Sequence, residues 1–208
     1  MQFALVALRG PSNIEKKVRE LQSSLYRQCG LASALALPAV IPLCFVKPNR
    51  IPEKAGALRE HLRRAVGREA PYLTSGAVAV CGDFLFWDLA PRRELQRLQR
   101  SCEKVFTAAE LLPADPQASV QPDPFPVARG FFLCSLQGRS RGRVPSLVVS
   151  RDLRFPAKAA SLLQVRTLGL SPGAAGSGSS AEVERPLWKS LYWEKLEEIP
   201  LRKSGGGG

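Results

Sequence analysis

The sequence predicts an α+β fold built from two similar halves. Up to about residue 108, apolar runs with the length of strands alternate with amphipathic helices, whereas most runs after a proline-rich connector are strand-like. When Leu43 is set over Leu133, an offset of 90 residues, "PAVIPLCFV" falls on "ARGFFLCSL". An internal similarity of this kind predicts the same central strand in each half.

The chain opens with the apolar strand "MQFALVAL" and continues with a helix. Apolar residues recur at helical spacing in "IEKKVRELQSSLYRQCG", which contains Ile14, Val18, Leu21 and Leu25. Ser12 and Glu15 match a capping box, which predicts that the helix begins there, and Gly30 predicts its end.

The next strand contains a proline at its centre. Residues 35–48, "LALPAVIPLCFVKP", are mostly apolar, and Pro42 interrupts them. Proline has no amide hydrogen to donate to a β-ladder. We therefore predict that this is an edge strand or that Pro42 has a special position in it.

A helix, a hairpin and a second helix complete the first half. "IPEKAGALREHLRRAVG" has Pro52 at a helix start and Gly67 at its end, and "PRRELQRLQRSCEKVF" has helical spacing after Pro91. Between them, "AVAVCGDFLFWDL" contains two apolar runs about Gly82-Asp83, which predicts a hairpin. The predicted strands of the second half are "ARGFFLCSL", "VPSLVVS", "SLLQVRTLGL" and "PLWKSLYWEKLEEIPL".

We expect one bilobal domain over residues 1–203. The connector places the lobe boundary near residues 108–125. Residues 171–184, "SPGAAGSGSSAEVE", predict a mobile loop between two paired strands. Residues 204–208, "SGGGG", predict a flexible tail outside the fold.

The cysteine and histidine content excludes several kinds of site. The five cysteines are far apart and include no C-x-x-C pair, which predicts reduced thiols in a cytoplasmic protein. No apolar run approaches the length of a membrane span. The single histidine, His61, lacks companions at metal-ligand spacing, and there is no glycine-rich phosphate loop. We therefore expect no metal, no cofactor and no membrane partner.

Positive charge is the main compositional signal. The chain has 30 Lys and Arg against 18 Asp and Glu, and its sequence pI is near 10.0. Residues 125–170 carry eight basic side chains and one acidic one. Such a surface attracts polyanions, and phosphate is the ligand that it predicts. The alternative is a solvated surface that keeps the protein soluble.

The order of elements, with "ALPAVIPLCFV", "PFPVARGFFLC", "SLLQVRTLGL" and "LYWEKLEEIPL", resembles the two-histidine phosphoesterase superfamily. This superfamily includes the bacterial 2′,5′ RNA ligase-like proteins and cyclic phosphodiesterases. The resemblance covers the chain to about Arg202. It implies two pseudo-symmetric lobes whose mostly antiparallel sheets line a groove, with helices outside.

The resemblance also implies one His-x-Thr or His-x-Ser motif on a strand of each lobe, with one histidine as general base and the other as general acid. Neither motif is present here. The first falls on Val40 and Pro42 and, by the offset of 90, the second on Gly130 and Phe132. Because the chain has a single histidine, His61, which lies in a predicted helix and matches neither motif, catalysis by paired histidines is excluded.

Side chains of a strand alternate between two faces, so every second residue of each motif strand is expected in the groove. The predicted groove residues are Val40, Pro42 and Cys44 from one lobe and Gly130, Phe132 and Cys134 from the other. If the second strand is slipped by two residues, its motif falls on residues 128–130 instead. Apolar surroundings raise the pKa of a cysteine and make it inert, which argues against catalysis by these thiols.

Three functions remain. The first, which ranks highest, is a catalytically inactive phosphoesterase-like protein that binds RNA or a nucleotide phosphate. Its predicted contact residues are Lys47, Arg129, Arg139, Arg141, Arg143 and Arg166. The second is a phosphoesterase with displaced catalytic groups. The third is a structural or protein-interaction module whose apolar groove is filled by its own side chains.

Overall fold

The computed structural model describes residues 2–36, 38–46, 55–109, 127–136, 147, 149–167 and 191–203. The helices are α1 (Ser12–Cys29), α2 (Ala32–Ala36), α3 (Ala55–Val66) and α4 (Arg92–Ala108). The strands are β1 (Gln2–Arg9), β2 (Val40–Val46), β3 (Glu69–Ala70), β4 (Tyr72–Cys81), β5 (Phe84–Ala90), β6 (Gly130–Ser135), β7 (Arg154–Pro156), β8 (Ala159–Thr167), β9 (Leu191–Pro200) and β10 (Arg202–Lys203).

Two four-stranded sheets dominate the fold. The β1 sheet has the strand order β2-β1-β8-β9, and the β5 sheet has the order β6-β5-β4-β7. The pairings within both sheets are antiparallel, whereas the short strands β10 and β3 pair in parallel. The predicted α+β class with mostly antiparallel sheets is confirmed. The hairpin about Gly82 and the pairing of the strands that flank residues 171–184 are confirmed as well.

The two longest helices, α1 and α4, each pack against a strand of the sheet that does not contain the strand before them in the chain. α1 follows β1 along the chain but contacts β6, and α4 follows β5 but contacts β2 as well as β5. α3 lies beside α4 and contacts β8 and β9. One main core therefore joins the two sheets, and it includes Val6 and Leu43 from one sheet and Leu85 and Phe131 from the other.

The start of α1 differs from the sequence prediction. Pro11 is the N-cap residue and no side chain caps the helix, so the predicted capping box of Ser12 and Glu15 is wrong. The carboxylate of Glu15 instead accepts two hydrogen bonds from the guanidinium of Arg9. The end of α1 is as predicted, because Gly30 adopts the left-handed conformation with φ of 66° and its amide donates back to the last turn.

Two further segments differ from the prediction. Residues 32–36, which overlap the start of the predicted strand 35–48, form α2, and β2 begins only at Val40. Leu147, Val149 and Ser150, from the predicted strand "VPSLVVS", lie outside any strand. Most of the predicted lobe boundary, the loop 171–184 and the tail 204–208 lie outside the described residues. Within the described residues, no helix combines the length and apolar character that a membrane span requires.

Candidate functional site

The two motif strands share the same irregularity of register. A β-bulge in β2 leaves Leu43 without a partner on β1, and a β-bulge in β6 leaves Leu133 without a partner on β5. These two residues are 90 positions apart, which is the offset that the sequence similarity predicts. The two strands therefore correspond without the slip of two residues, and Pro42 is equivalent to Phe132.

Pro42 occupies a position where a β-sheet tolerates proline. It belongs to β2, which lies at the end of the strand order of the β1 sheet, and it pairs with Ala7 of β1 next to the bulge. Its carbonyl oxygen accepts a hydrogen bond from the amide of Ala128 at 2.8 Å. In the equivalent position, the carbonyl oxygen of Phe132 accepts a hydrogen bond from Nε2 of Gln22 at 3.2 Å. The prediction of an edge strand or a special position is confirmed.

The two bulges change which residues of β2 and β6 can face the predicted groove. An extra residue in a strand shifts the alternation of side chains by one position, so residues on the two sides of a bulge no longer share a face. Cys44 and Cys134 consequently lie in the main core. Their predicted location in the groove beside Pro42 and Phe132 is wrong.

Both of these thiols are held in their neutral form. A side-chain hydrogen bond with Cys102 of α4, together with burial, raises the pKa of Cys44 well above its ordinary value. Burial, and to a lesser extent the neighbouring Cys29, raises the pKa of Cys134 to about 12. A neutral, buried thiol is a poor nucleophile, so these cysteines pack and do not react.

Apolar side chains cover the inner face of each sheet, which we define as the face away from the main core. The Val40 cluster on the β1 sheet contains Leu5, Ala7, Val40 and Leu163, with Phe45 and Trp193 packed against it. The Phe132 cluster on the β5 sheet contains Phe84, Phe86 and Phe132, with Cys81 and Trp193 packed against it. Trp193 contacts both clusters, so the two inner faces meet at its indole ring.

The packing of these clusters leaves little exposed surface at the motif positions. Phe132 meets the ring of Phe86 edge to face with centroids 5.5 Å apart. The indole nitrogen of Trp193 donates a hydrogen bond to the carbonyl oxygen of Ala36 at 2.6 Å, which fixes the ring. Val40 and Phe132 are only 5% and 2% exposed. The inner faces therefore present a packed apolar surface at the positions where the sequence analysis places the motifs.

Gly130 is closed to any side chain. A Cβ atom at this position would overlap the carbonyl oxygen of Trp87 and lie 2.9 Å from its carbonyl carbon and 3.0 Å from Cα of Asp88. These are backbone atoms of the neighbouring strand β5, and they cannot rotate away as the end of a side chain can. The prediction that position 130 faces a groove is therefore wrong, because a side chain there would point into β5.

Arg129 is bound to a carboxylate. Its Nε donates to Oδ1 of Asp88 at 2.9 Å, and Arg92 donates to the other oxygen of the same carboxylate at 2.7 Å. Asp88 is the only charged residue of β5, and a single charge within an apolar strand is the signal in the sequence that indicates a partner of opposite charge. Of the other predicted phosphate contacts, Arg166 lies in β8 but its side chain is outside the described residues. The others also lie outside them, namely Lys47, Arg139, Arg141 and Arg143.

Solved structures with this architecture decide the fold. The crystal structure of E. coli LigT complexed with 3′-AMP matches with a TM-score of 0.57 at 11% identity, over 97% of this chain and 99% of that chain. TT0787 of Thermus thermophilus matches with a TM-score of 0.58 at 16% identity, over 98% of this chain and 100% of that chain. This chain has the two-histidine phosphoesterase fold. No protein-family model and no curated protein sequence matches it.

Although the chain has the two-histidine phosphoesterase fold, its single histidine lies away from the motif strands. His61 is in α3, where its ring lies 6.2 Å from that of Phe106 of α4. The predicted helical location of His61 is thus confirmed, and the side chain is half-buried there. α3 and α4 cover the main-core side of the β1 sheet, whereas the Val40 cluster lies on the other side. The described residues contain no group of three or more metal-ligating side chains.

A charged network that the sequence did not reveal ties three elements of the two-histidine phosphoesterase fold together. Arg9, at the end of β1, holds Glu15 of α1 in a bidentate pair and also donates to Glu198 of β9 at 2.9 Å. The hydroxyl of Ser161 donates to the same oxygen of Glu198 at 3.0 Å. Burial acts to raise the pKa of Glu198, but the hydrogen bonds from Arg9 and Ser161 bring it below its ordinary value.

Proposed function

We propose that this chain is a non-catalytic, cytoplasmic protein with the two-histidine phosphoesterase fold, and that it binds RNA or a nucleotide phosphate through its basic surface. The observation that carries the non-catalytic part is the chemistry of the motif positions. Val40 and Pro42 stand in one lobe, and Gly130 and Phe132 in the other. None of them can accept or donate a proton, which the family's mechanism requires.

The packing around the motif positions supports the same proposal. A phosphodiester placed between the Val40 and Phe132 clusters would lose its hydration and find an apolar surface in return, at a large cost in free energy. The charged side chains beside the motif positions are already paired: Asp88, opposite Gly130, binds Arg129, and Arg9, opposite Val40, binds Glu15 and Glu198. We therefore assign phosphate recognition to the basic residues named in the sequence analysis and not to the space between the motif strands.

The class of ligand follows from charge. The chain has a formal net charge of +12, and eight of its basic residues lie in residues 125–170. E. coli LigT has been crystallised with 3′-AMP and with NADP+, both of which carry phosphate. We keep Lys47, Arg139, Arg141, Arg143 and Arg166 as the proposed contacts. Arg129 is the least suitable of the six contact residues that the sequence analysis predicted, because its Nε already donates a hydrogen bond to Asp88.

The catalytic part is tested with 2′,3′-cyclic nucleotides and 2′,5′-linked RNA. We expect no turnover, because both the general acid and the general base are missing. A cyclic phosphodiesterase that has both His-x-Thr or His-x-Ser motifs serves as a control for the quality of the substrates. Turnover by this protein that persists in His61→Ala would contradict the proposal and identify catalytic groups elsewhere in the chain.

The binding part is tested by titrating labelled single-stranded RNA at several salt concentrations. Neutralising Arg139, Arg141 and Arg143 to Gln should reduce the log–log slope of affinity against salt by about 2, since each lost contact to a single strand is worth about 0.7. The matched control is the α1 variant, in which the exposed residues Lys16, Arg19 and Arg27 are changed to Gln. Equal effects of the two variants would contradict the proposed contacts.

One observation favours a second candidate, a structural or protein-interaction module. Trp193 packs on both inner clusters, as expected if the groove is filled by the chain's own side chains. If RNA binds no better than heparin near physiological salt, nucleic acid is rejected as the partner and this second candidate takes its place.

A further inference from the structure

The outer face of α4 carries a row of exposed cations. Arg93, Arg97, Arg100 and Lys104 are all exposed and follow one another at intervals of four, three and four residues. Such intervals keep side chains on one face of a helix. The row, which we call the α4 stripe, runs for about 16 Å at a rise of about 1.5 Å per residue. The opposite face of α4 is buried in the core through Leu95, Leu98, Cys102 and Phe106.

Few acidic groups offset the α4 stripe. Arg97 forms an ion pair with Glu94. Arg93, Arg100 and Lys104 form no ion pair with any residue in the part of the chain that the structure describes. These three cations therefore have their charge available for a ligand.

The neighbouring helix also exposes basic side chains. α3 packs beside α4 and exposes Arg59 and Arg63, while its third arginine, Arg64, pairs with Glu60. Both helices cover the side of the β1 sheet opposite the Val40 cluster. The α4 stripe is thus on the outside of the molecule and does not depend on the motif strands.

We propose that the α4 stripe binds the phosphodiester backbone of a nucleic acid. The inference rests on the proposed function for its class of partner, but it assigns the contacts to a different element. Each strand of a nucleic acid helix carries about one phosphate per 3.4 Å of its axis, so a row of cations along a straight protein helix can meet several phosphates of one strand. Backbone contacts of this kind hold a nucleic acid without reading its sequence.

The composition of the exposed face of α4 argues against a membrane or a protein as the partner. Apart from its cations, α4 exposes Gln96, Thr107 and Ala108 and no large apolar side chain. A helix that binds a membrane surface needs an apolar face to insert, and protein interfaces depend on aromatic or aliphatic anchors. Interfaces with nucleic acids are, in contrast, polar and strongly positive.

The experiment compares three triple variants of the full chain for binding to labelled single-stranded RNA across a range of salt. The stripe variant is Arg93→Gln, Arg100→Gln and Lys104→Gln, and the other two are the α1 control and the variant of Arg139, Arg141 and Arg143. All three remove three positive charges. Circular dichroism checks that the helical variants remain folded, which we expect because glutamine is a good helix former at exposed positions.

The stripe variant should lower the log–log salt slope by about 2 while the α1 control leaves it unchanged. A loss confined to the Arg139, Arg141 and Arg143 variant would overturn this inference and uphold the proposed function. A loss confined to the stripe variant would uphold the inference and reject the proposed contacts. Equal losses in the stripe variant and the α1 control would overturn it, as would tighter binding to anionic vesicles than to RNA.

Discussion

At the scale of single residues, the packing of the predicted motif positions matters as much as their composition. Val40 and Phe132 are packed in apolar clusters, and Pro42 lies where the sheet tolerates a missing amide. Gly130 lies against the backbone of β5, so its position has no space for a functional side chain. Replacing these residues by histidine and threonine would therefore not recreate the family's site.

Gly130→Ala should lower the free energy of unfolding by about 3 kcal/mol, because the new methyl group must displace backbone atoms of Trp87 and Asp88. The measurement is urea denaturation. The matched control is Gly76→Ala in β4, where a Cβ would meet its nearest neighbour, the carbonyl oxygen of Asp88, at an ordinary 3.5 Å. We expect the control to change stability by only about 0.5 kcal/mol. Similar stabilities of the two variants would show that β5 and β6 are further apart than described.

At the scale of elements, Arg9 fixes the relative positions of β1, α1 and β9. It replaces the side-chain cap that the sequence predicts for α1, because it takes the carboxylate of Glu15 that would otherwise bond to the helix start. Ser33 has a similar connecting role, since its hydroxyl both donates to the carbonyl and accepts from the amide of Ser135 in β6. Isolated side chains thus join elements that are far apart in the chain.

Glu198→Gln should remove part of the acid sensitivity of the protein. The pKa of Glu198 is lower in the folded protein than its ordinary value of 4.5, so its carboxylate contributes stability above that pH and loses it as the pH falls through the folded value. The gap in urea midpoint between wild type and variant should therefore narrow from neutral pH to about pH 3. Glu20→Gln, at an exposed position of α1, is the control. A gap that stays constant with pH would mean that Glu198 does not pair with Arg9 in solution.

At the scale of the whole molecule, two helices join the lobes, because each packs on the sheet of the other lobe. α1, which follows β1, covers a strand of the β5 sheet, and α4, which follows β5, packs on strands of both sheets. Each sheet therefore takes part of its helical cover from a helix that follows a strand of the other sheet. The main core draws residues from both sheets and from α1, α3 and α4. We therefore propose that residues 1–203 unfold as the single bilobal domain that the sequence predicts.

Leu98→Ala, in α4, should shift the unfolding of both lobes together. Leu98 is buried where α4 packs on the core, and its truncation should cost about 3 kcal/mol. Tryptophan fluorescence, to which the buried Trp87 contributes, and far-UV circular dichroism should give the same urea midpoint in wild type and variant. Two separate transitions, with only one moved by the substitution, would contradict a single cooperative unit.

The sequence by itself determined the features that depend on composition and on local periodicity. Four features can be read from it: the absence of paired histidines, the order of most strands and helices, the equivalence of Leu43 and Leu133, and the exceptional position of Pro42. Each depends on composition, on a local pattern or on the comparison of two short segments, and none depends on how distant parts of the chain pack. Only the tertiary structure decided where the side chains of the motif strands point. The bulges at Leu43 and Leu133 move Cys44 and Cys134 into the core, and a bulge arises from how two strands pair, which no single strand specifies. The pairing of Arg129 with Asp88, 41 residues away, is likewise decided by the approach of β6 to β5, because an ion pair forms only where folding brings two distant charges together.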